Sequence, residues 1–191
     1  RKAERSGASY ESGASTLTDF YQLYSKLMQR EQISVEPKSF FSSFLDSKTN
    51  STQVICAIVK FENQCEGALF VPYTQFMAYY LYGASSEQTK LVGSNKFLQA
   101  QTIKNLLEKG VRKYSLGGFR MGEKGITKKI EAIQNYKRRF GAELTEGFLW
   151  KANITSLGAL YDFIFKIYCI VRYRTVFKDM IDQSETVIKN G

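Results

Sequence analysis

The sequence contains no histidine, only two prolines, and three cysteines that are not arranged in a CxxC spacing. Without histidine it has no Ser-His-Asp triad, no Cys-His pair, no His-ligated zinc site and no histidine general base. Any chemistry therefore rests on carboxylates, lysines, tyrosines, hydroxyls, thiols, backbone amides or a group of the substrate. The scattered Cys56, Cys65 and Cys169 favour reduced core thiols in a cytoplasmic protein, and we predict no metal site.

The N-terminal residues are polar and small and do not form a signal peptide. The first residue is Arg1 rather than methionine, so we expect the chain to be part of a longer protein whose N-terminal portion shares the function. We predict a cytoplasmic location, with the inner face of the membrane as the alternative.

Positive charge is in excess, because 27 Lys and Arg face 18 Asp and Glu, for a net charge of +9. Such a balance indicates an anionic partner: a nucleic acid, a phosphorylated metabolite or an anionic membrane surface. The stretch 104–139 concentrates this charge. It is either a solvated basic face or an electrostatic funnel for a phosphate-bearing substrate. Its cations are Lys104, Lys109, Arg112, Lys113, Arg120, Lys124, Lys128, Lys129, Lys137, Arg138 and Arg139, against Glu108, Glu123 and Glu131.

Hydrophobic periodicity predicts an α-α-β-β-β-α-β-α-β-α order. Antiparallel strands come first, and each later strand alternates with a helix, which is typical of one mixed α/β sheet covered by helices on both faces. The predicted helices start at Thr16 and Pro37 and cover 96–110, about 127–141 and 156–178, and the strands cover 52–61, 68–73, 76–83, 111–118 and 145–153.

The C-terminal helix is apolar from Ile154 to Val171, yet it contains Asp162 and Lys166 and falls short of a clean membrane span. We favour an amphipathic helix packed on its own protein. The alternative is a peripheral helix on a membrane surface, with its four cations (Lys166, Arg172, Arg174 and Lys178) reaching the headgroups. Residues 182–191 are predicted to be a flexible tail.

Three strings in register, YYLYGASSEQ, RKYSLGGF and NYKRRFGAEL, resemble the Fem-type (FemAB-like) aminoacyl transferases, which build the interpeptide bridge of bacterial peptidoglycan. The string RKAERSGASYE resembles the end of that family's first acyltransferase-like domain, and TLTDFYQLYSKLMQRE the start of its second. The resemblance covers about residues 1–150. It implies a GNAT-like N-acyltransferase fold for residues 13–181, with residues 1–12 as the end of a preceding domain or a linker.

This resemblance also implies an activity. Members of the family transfer an amino acid from aminoacyl-tRNA to an amino group of a nucleotide-linked or lipid-linked peptidoglycan precursor, and they need no cofactor beyond the charged tRNA. This chain would be the second domain, which receives the aminoacylated end of the tRNA. The acceptor site would then lie mostly in a missing N-terminal domain or between the two domains.

The family motif of an aromatic-Lys pair ahead of Phe-Gly matches Tyr136-Lys137 and Phe140-Gly141. By resemblance Lys137 lies near the reacting ester, where an ammonium can stabilise a tetrahedral oxyanion. Arg138 and Arg139 can bind phosphates, and Tyr136 can stack on the terminal adenine. The alternative is that Tyr136 and Phe140, four residues apart, belong to the core while the three cations are solvated.

Gly117-Gly118 closes the predicted strand before this helix, and the pair either lets a ligand approach the backbone or allows a tight turn. The family commonly has an acidic residue two positions earlier, where this chain has Ser115. Ser85 follows the end of another strand and either caps the next segment or lines the cleft.

Two other functions compete with aminoacyl transfer. One is an acyl-CoA-dependent enzyme of the same fold in polysaccharide or cell-envelope biosynthesis. Such enzymes present a loop of Arg or Gln, two residues, then Gly-x-Gly or Gly-x-Ala at a helix start. The corresponding TKLVGSNKF has one glycine, which counts against CoA. The other is a non-catalytic basic module that binds RNA or an anionic polymer.

Overall fold

The computed structural model describes residues 2–45, 52–119, 128–145 and 154–173. The chain divides into two compact units, residues 1–118 and 119–191. The first unit contains α1 (Lys2–Arg5), β1 (Ser9–Ser12), α2 (Leu17–Arg30), α3 (Lys38–Leu45), β2 (Gln53–Phe61), β3 (Gln64–Tyr73), β4 (Met77–Tyr79), β5 (Tyr82–Ser85), α4 (Ser94–Glu108) and β6 (Lys113–Ser115). The second contains α5 (Lys128–Arg138) and α6 (Ser156–Tyr173).

A six-stranded sheet with the order β1-β2-β3-β4-β6 forms the centre of the first unit, and β5 also pairs with β3. All pairs are antiparallel except β4 with β6, which is parallel. This mixed sheet, antiparallel in its N-terminal part, confirms the predicted fold class.

Both faces of the sheet are buried, because alternate residues of β2 enter two different cores. Ile55, Ala57 and Val59 pack in a cluster that includes Leu98 and Leu106 of α4, together with Val71 and Ala78 of the sheet. Cys56 and Ile58 pack on the opposite face against Phe20 and Tyr24 of α2 and Phe41 of α3. The nearly continuous apolar run of this strand follows directly from its two buried faces.

The end of α4 shows how the chain turns back into the sheet. Gly110 has φ +74°, its N–H donates to the Leu107 carbonyl at 2.9 Å, and the Val111 N–H donates to the Leu106 carbonyl at 3.0 Å. This hydrogen-bond pair is the Schellman motif, which ends a helix at a glycine with positive φ. After this turn the chain enters β6, which pairs with β4.

Three elements differ from the sequence-based predictions. The sequence predicts no strand before residue 52, yet β1 pairs with β2 in this sheet. The segment 64–67, predicted as part of a turn, belongs to β3, and the turn contracts to Glu62 and Asn63 with positive φ. The single strand predicted at 76–83 is divided into β4 and β5.

In the second unit, α5 ends at Arg138, three residues before the predicted end, and Gly141, with φ +72°, donates its N–H to the Arg138 carbonyl at 2.9 Å. The helical spacing of Ile130, Ile133 and Phe140 predicts that these residues face inward, but Ile133 is 47% exposed, and among the described side chains of α5 only Gln134 is buried. Most of the strand predicted at 145–153, and residues 174–191, lie outside the described residues. Among the described helices, none combines the length and apolar character needed to cross a membrane.

Candidate functional site

The segment formed by β4 and β5 has one more residue than the part of β3 with which it pairs, and the sheet is interrupted at this point. Tyr73 pairs with Ala78, whereas Phe70 pairs with Tyr82, so three steps along β3 correspond to four steps along the partner. This is a β-bulge, which bends a strand and increases its twist. Before the bulge β4 pairs with both β3 and β6, and after it β5 pairs with β3.

One edge of β5 is therefore left without a strand. Within the part of the chain that the structure describes, Tyr82–Ser85 pairs only with β3, because β6 ends at Ser115 beside Tyr79. A sheet edge of this kind offers backbone N–H and C=O groups to an extended ligand. The opening between β5 and the chain after β6 is thus a candidate binding site of the first unit.

The start of α4 lies at the end of β5. Gly93, immediately before the helix, has φ +95° and no side-chain cap. The Asn95 side chain lies against the backbone of Gly67, because a Cβ added to Gly67 would come within 2.1 Å of Asn95 Oδ1. Gly67 in turn pairs with Ser85 in the sheet. Backbone N–H groups at a helix start attract anionic groups, so the first turn of α4 is a candidate phosphate contact next to this opening.

A buried carboxylate fixes the loop that leads into α4. Glu66 is 1% exposed. It accepts hydrogen bonds from the N–H of Lys90 at 3.0 Å and from the N–H of Leu91 at 3.3 Å. Its carbonyl also accepts the N–H of Ser86 at 3.0 Å. The loop 86–93 is consequently held at both ends by one residue of β3. Glu66 was not among the residues predicted from sequence, because residues 64–67 were predicted as part of a turn, where an acid is ordinary.

The predicted residues Ser85, Gly117 and Gly118 all belong to the first unit. Ser85 is the last residue of β5 and is half-buried. Gly117 has φ +80°, and its N–H donates to Ser115 Oγ at 3.3 Å. Space is open where a Cβ on Gly118 would lie. Ser115 thus supports the glycine turn, and the binding roles of Ser85, Gly117 and Gly118 stay predictions.

Tyr80 in the bulge was missed by sequence analysis. Its N–H donates to the Ser115 carbonyl at 2.9 Å, and its phenol lies so close to Gly83 that a Cβ there would clash with the hydroxyl. Burial raises the pKa of Tyr80 above its usual 10. The phenol therefore stays protonated at neutral pH and is a hydrogen-bond donor beside the opening.

In the second unit, the last turn of α5 brings together the other predicted residues. The rings of Tyr136 and Phe140 meet edge to face with centroids 5.1 Å apart, and both are half-buried. Lys137 between them is also half-buried, and this desolvation lowers the pKa of its ammonium below the usual 10.5. A cation that is partly withdrawn from water interacts more strongly with a developing negative charge than a solvated one does.

The two arginines after Lys137 differ in their contacts. Both are exposed, but the Arg138 guanidinium lies 5.1 Å from the ring centroid of Phe119 and donates to Asn135 Oδ1 at 3.4 Å. Arg139 continues the chain at the helix end, where its N–H donates to the Asn135 carbonyl at 3.2 Å. Within the described ranges, no three acidic or cysteine side chains come together as metal ligands.

Comparison with known proteins decides between fold families. A family model described as an acetyltransferase (GNAT) domain matches residues 1–138. The chain belongs to this family. The predicted acyltransferase type is therefore confirmed at the level of family and fold, and the Fem-type resemblance stays a prediction. No curated protein matches the sequence.

Solved structures with the same fold have low sequence identity to this GNAT domain. An aminoglycoside acetyltransferase from an uncultured soil metagenomic sample, in complex with sisomicin, is 15% identical with a TM-score of 0.54, covering 76% of this chain and 97% of that chain. A predicted acetyltransferase with acetyl-CoA from Clostridium acetobutylicum is 12% identical, with a TM-score of 0.54 and coverage of 76% and 96%. A ribosomal-protein-alanine N-acetyltransferase from Brucella melitensis biovar Abortus 2308 is 11% identical, with a TM-score of 0.53 and coverage of 77% and 100%.

Proposed function

We propose that this GNAT domain transfers an aminoacyl group from aminoacyl-tRNA to an amino group of a peptidoglycan precursor. The observation that carries the proposal is Lys137, a half-buried ammonium with a lowered pKa, flanked by the Tyr136–Phe140 ring pair and followed by two exposed arginines. These side chains are those that the charged 3′ end of a tRNA requires: an oxyanion partner, a stacking surface and phosphate contacts.

The reaction needs no histidine, because the ester of aminoacyl-tRNA is already activated. A neutral acceptor amine attacks the ester carbonyl carbon, and the ammonium of Lys137 stabilises the tetrahedral oxyanion. The bond between that carbon and the terminal ribose oxygen then breaks. The new amide loses a proton through solvent, and the departing ribose oxygen gains one. The main contribution of the protein is to hold amine and ester in line.

An acyl-CoA donor is the second candidate, and a different observation favours it. The left-handed Gly93 precedes the first turn of α4 beside the open edge of β5, and Lys90 stands three residues before it. In the pyrophosphate loop of acyl-CoA-dependent enzymes, an Arg or Gln stands three residues before the first glycine. Gly93 corresponds to that glycine, and Lys90 stands at the position of the Arg or Gln. The structural neighbour from Clostridium acetobutylicum was solved with acetyl-CoA.

The donor can be identified with the full-length protein and two labelled substrates. Aminoacyl-tRNA and acetyl-CoA are each supplied with nucleotide-linked and lipid-linked peptidoglycan precursors, and the labelled product is separated by chromatography. We expect label from aminoacyl-tRNA alone to enter the precursor. Label from acetyl-CoA alone would replace this proposal with the second candidate. Retained tRNA binding without any transfer would favour the basic-module function instead.

A pair of variants tests the assignment to α5. Lys137→Ala should abolish most of the transfer, whereas Lys128→Ala, which removes an exposed cation from the first turn of the same helix, should leave the rate within about twofold because a solvated charge contributes little. Equal losses in both variants would mean that only the overall positive charge matters.

A further inference from the structure

The large apolar side chains of α6 are exposed, whereas the residues on its polar side are half-buried. Its half-buried described residues include Gly158, Asp162 and Lys166, which recur every four residues and so lie along one side of the helix. The large apolar residues are exposed: Leu157, Leu160, Tyr161, Phe163, Ile164, Phe165, Ile167, Tyr168, Ile170 and Val171. Among the described residues, this pattern is the reverse of that of a helix that covers a core with its apolar side.

The exposed apolar surface is too wide for a single helical partner. Each residue of a helix is rotated by about 100° from the one before it. Viewed down the helix axis, the ten exposed apolar residues occupy an arc of roughly 220°, with Ile170 at one end and Phe165 at the other. A helix that packs against one other helix buries a narrow apolar seam. A lipid surface, in contrast, can receive the whole width of such a helix, whose polar side then faces away from the acyl chains.

The charge and the aromatic content of the segment select the kind of lipid. Between positions 156 and 178 the sequence holds four cations and one acid, Asp162, and five of the eighteen residues of α6 are aromatic. Lys and Arg beside an apolar helix are attracted to anionic headgroups, and aromatic rings favour the membrane interface. The net charge of +9 for the whole chain also favours binding to an anionic surface.

We propose that α6 lies in the surface of an anionic lipid bilayer and anchors the protein there, with its wide apolar side among the upper acyl chains. The helix has 18 residues and is therefore about 27 Å long. The proposal is independent of the acyl donor. It also holds for any acceptor, although a lipid-linked acceptor would be concentrated at the same surface.

Vesicle co-sedimentation of the full-length protein tests this proposal. The probes are vesicles of pure phosphatidylcholine and vesicles with about one third phosphatidylglycerol. We expect binding to the anionic vesicles, weakened by salt. Ile164→Asp should reduce binding by roughly tenfold or more, because it removes a side chain from the apolar side and adds a repelled charge. The matched control is Ala159→Asp, an exposed position about 140° from Ile164 on the same helix, which should change binding by less than about threefold.

Two measurements keep the outcomes separate. Circular dichroism should show unchanged helix content in both variants, since both positions are exposed. The proposal is overturned if the anionic vesicles bind no protein, if neutral vesicles bind it equally well, or if the two variants lose binding equally. Sedimentation velocity that shows a dimer abolished by Ile164→Asp, without vesicle binding, would assign the apolar side to a second copy of this chain.

Discussion

The two units of the chain use their aromatic and apolar residues in opposite ways. In the first, α2 and α3 bury Phe20, Tyr24 and Phe41 completely against the sheet. In the second, α5 buries only Gln134 among its described side chains, and α6 exposes ten large apolar residues. The buried aromatic residues of the described chain are therefore concentrated in the first unit, whereas most described large apolar side chains of the second unit are exposed.

This contrast separates the residues that hold the fold from those proposed to act on the substrate. An apolar side chain removed from water stabilises a fold by about 25 cal/mol per Å², and one left in water contributes almost nothing. The exposed apolar side chains of α6 should therefore add little to the free energy of unfolding. Substitutions of the same type in the two units should have unequal effects.

The largest difference is expected between two phenylalanines. Phe41 is fully buried and its ring lies 5.0–5.4 Å from the rings of Phe20, Tyr24, Phe40, Phe70 and Tyr82. Phe41→Ala should lower the free energy of unfolding by about 3–5 kcal/mol. Phe163, 61% exposed on α6, is the matched control, and Phe163→Ala should cost less than about 0.5 kcal/mol. Urea unfolding followed by circular dichroism measures both values, and equal costs would contradict the contrast.

The second prediction concerns the rate rather than the stability. If Lys137 stabilises the oxyanion, Lys137→Ala should lower the single-turnover rate by about 100- to 1,000-fold and leave tRNA affinity nearly intact. Lys137→Arg should restore only part of the rate, because a broad guanidinium does not fit a site shaped for a compact ammonium. A parental rate in Lys137→Ala would show that the assignment is wrong.

The pH profile gives the same residue a second readout. Desolvation lowers the pKa of Lys137, so its ammonium form is lost at a lower pH than that of an ordinary lysine. The rate should therefore fall as the pH rises through this lowered pKa, below 10.5. In Lys137→Ala this alkaline decline should disappear, while the rise caused by deprotonation of the acceptor amine remains. A decline that persists in the variant belongs to another group.

A smaller effect is expected from the buried acid of the first unit. Glu66→Gln keeps the size of the side chain but places an amide NH₂ where a carboxylate oxygen accepts a backbone N–H. The resulting unsatisfied donor should cost about 1–3 kcal/mol and speed hydrogen exchange in residues 86–93. The control Glu62→Gln removes an exposed ion pair with Lys90, at 3.2 Å, and should cost less than about 1 kcal/mol. Unchanged exchange in Glu66→Gln would mean that the loop is held by other contacts.

The fold was predictable from sequence wherever the signal is local. The apolar run in β2 reflects two buried faces, and the glycines at positions 110 and 141 end helices through their own backbone geometry. The polar strand β1 has no such periodicity, since it exists through its pairing with β2. The bulge between β4 and β5 was hidden inside one continuous apolar string, because it depends on the registers with β3 and β6.

In the candidate site, too, contacts between residues close in sequence were predictable, and contacts that depend on the folded structure were not. The sequence spacing predicted the contact between Tyr136 and Phe140, because residues four apart on a helix lie on the same side. Tyr80 over Gly83, and Asn95 over Gly67, are contacts between elements and leave no pattern in a single sequence. The exposed face of α6 was also beyond sequence analysis, since periodicity shows that a helix has two sides but not which side faces solvent.

The smallest predicted effect distinguishes the two arginines after Lys137. If the second unit binds the tRNA backbone, Arg139→Ala should weaken tRNA binding and reduce the salt dependence of the affinity by about one phosphate contact. Arg138→Ala should do so less, because its guanidinium is already engaged with the Phe119 ring and Asn135, and moving to a phosphate means giving up those contacts. Binding of each variant at two salt concentrations gives both slopes. A larger loss in Arg138→Ala than in Arg139→Ala would show that the cation–π contact orients the guanidinium toward the phosphate instead of competing with it.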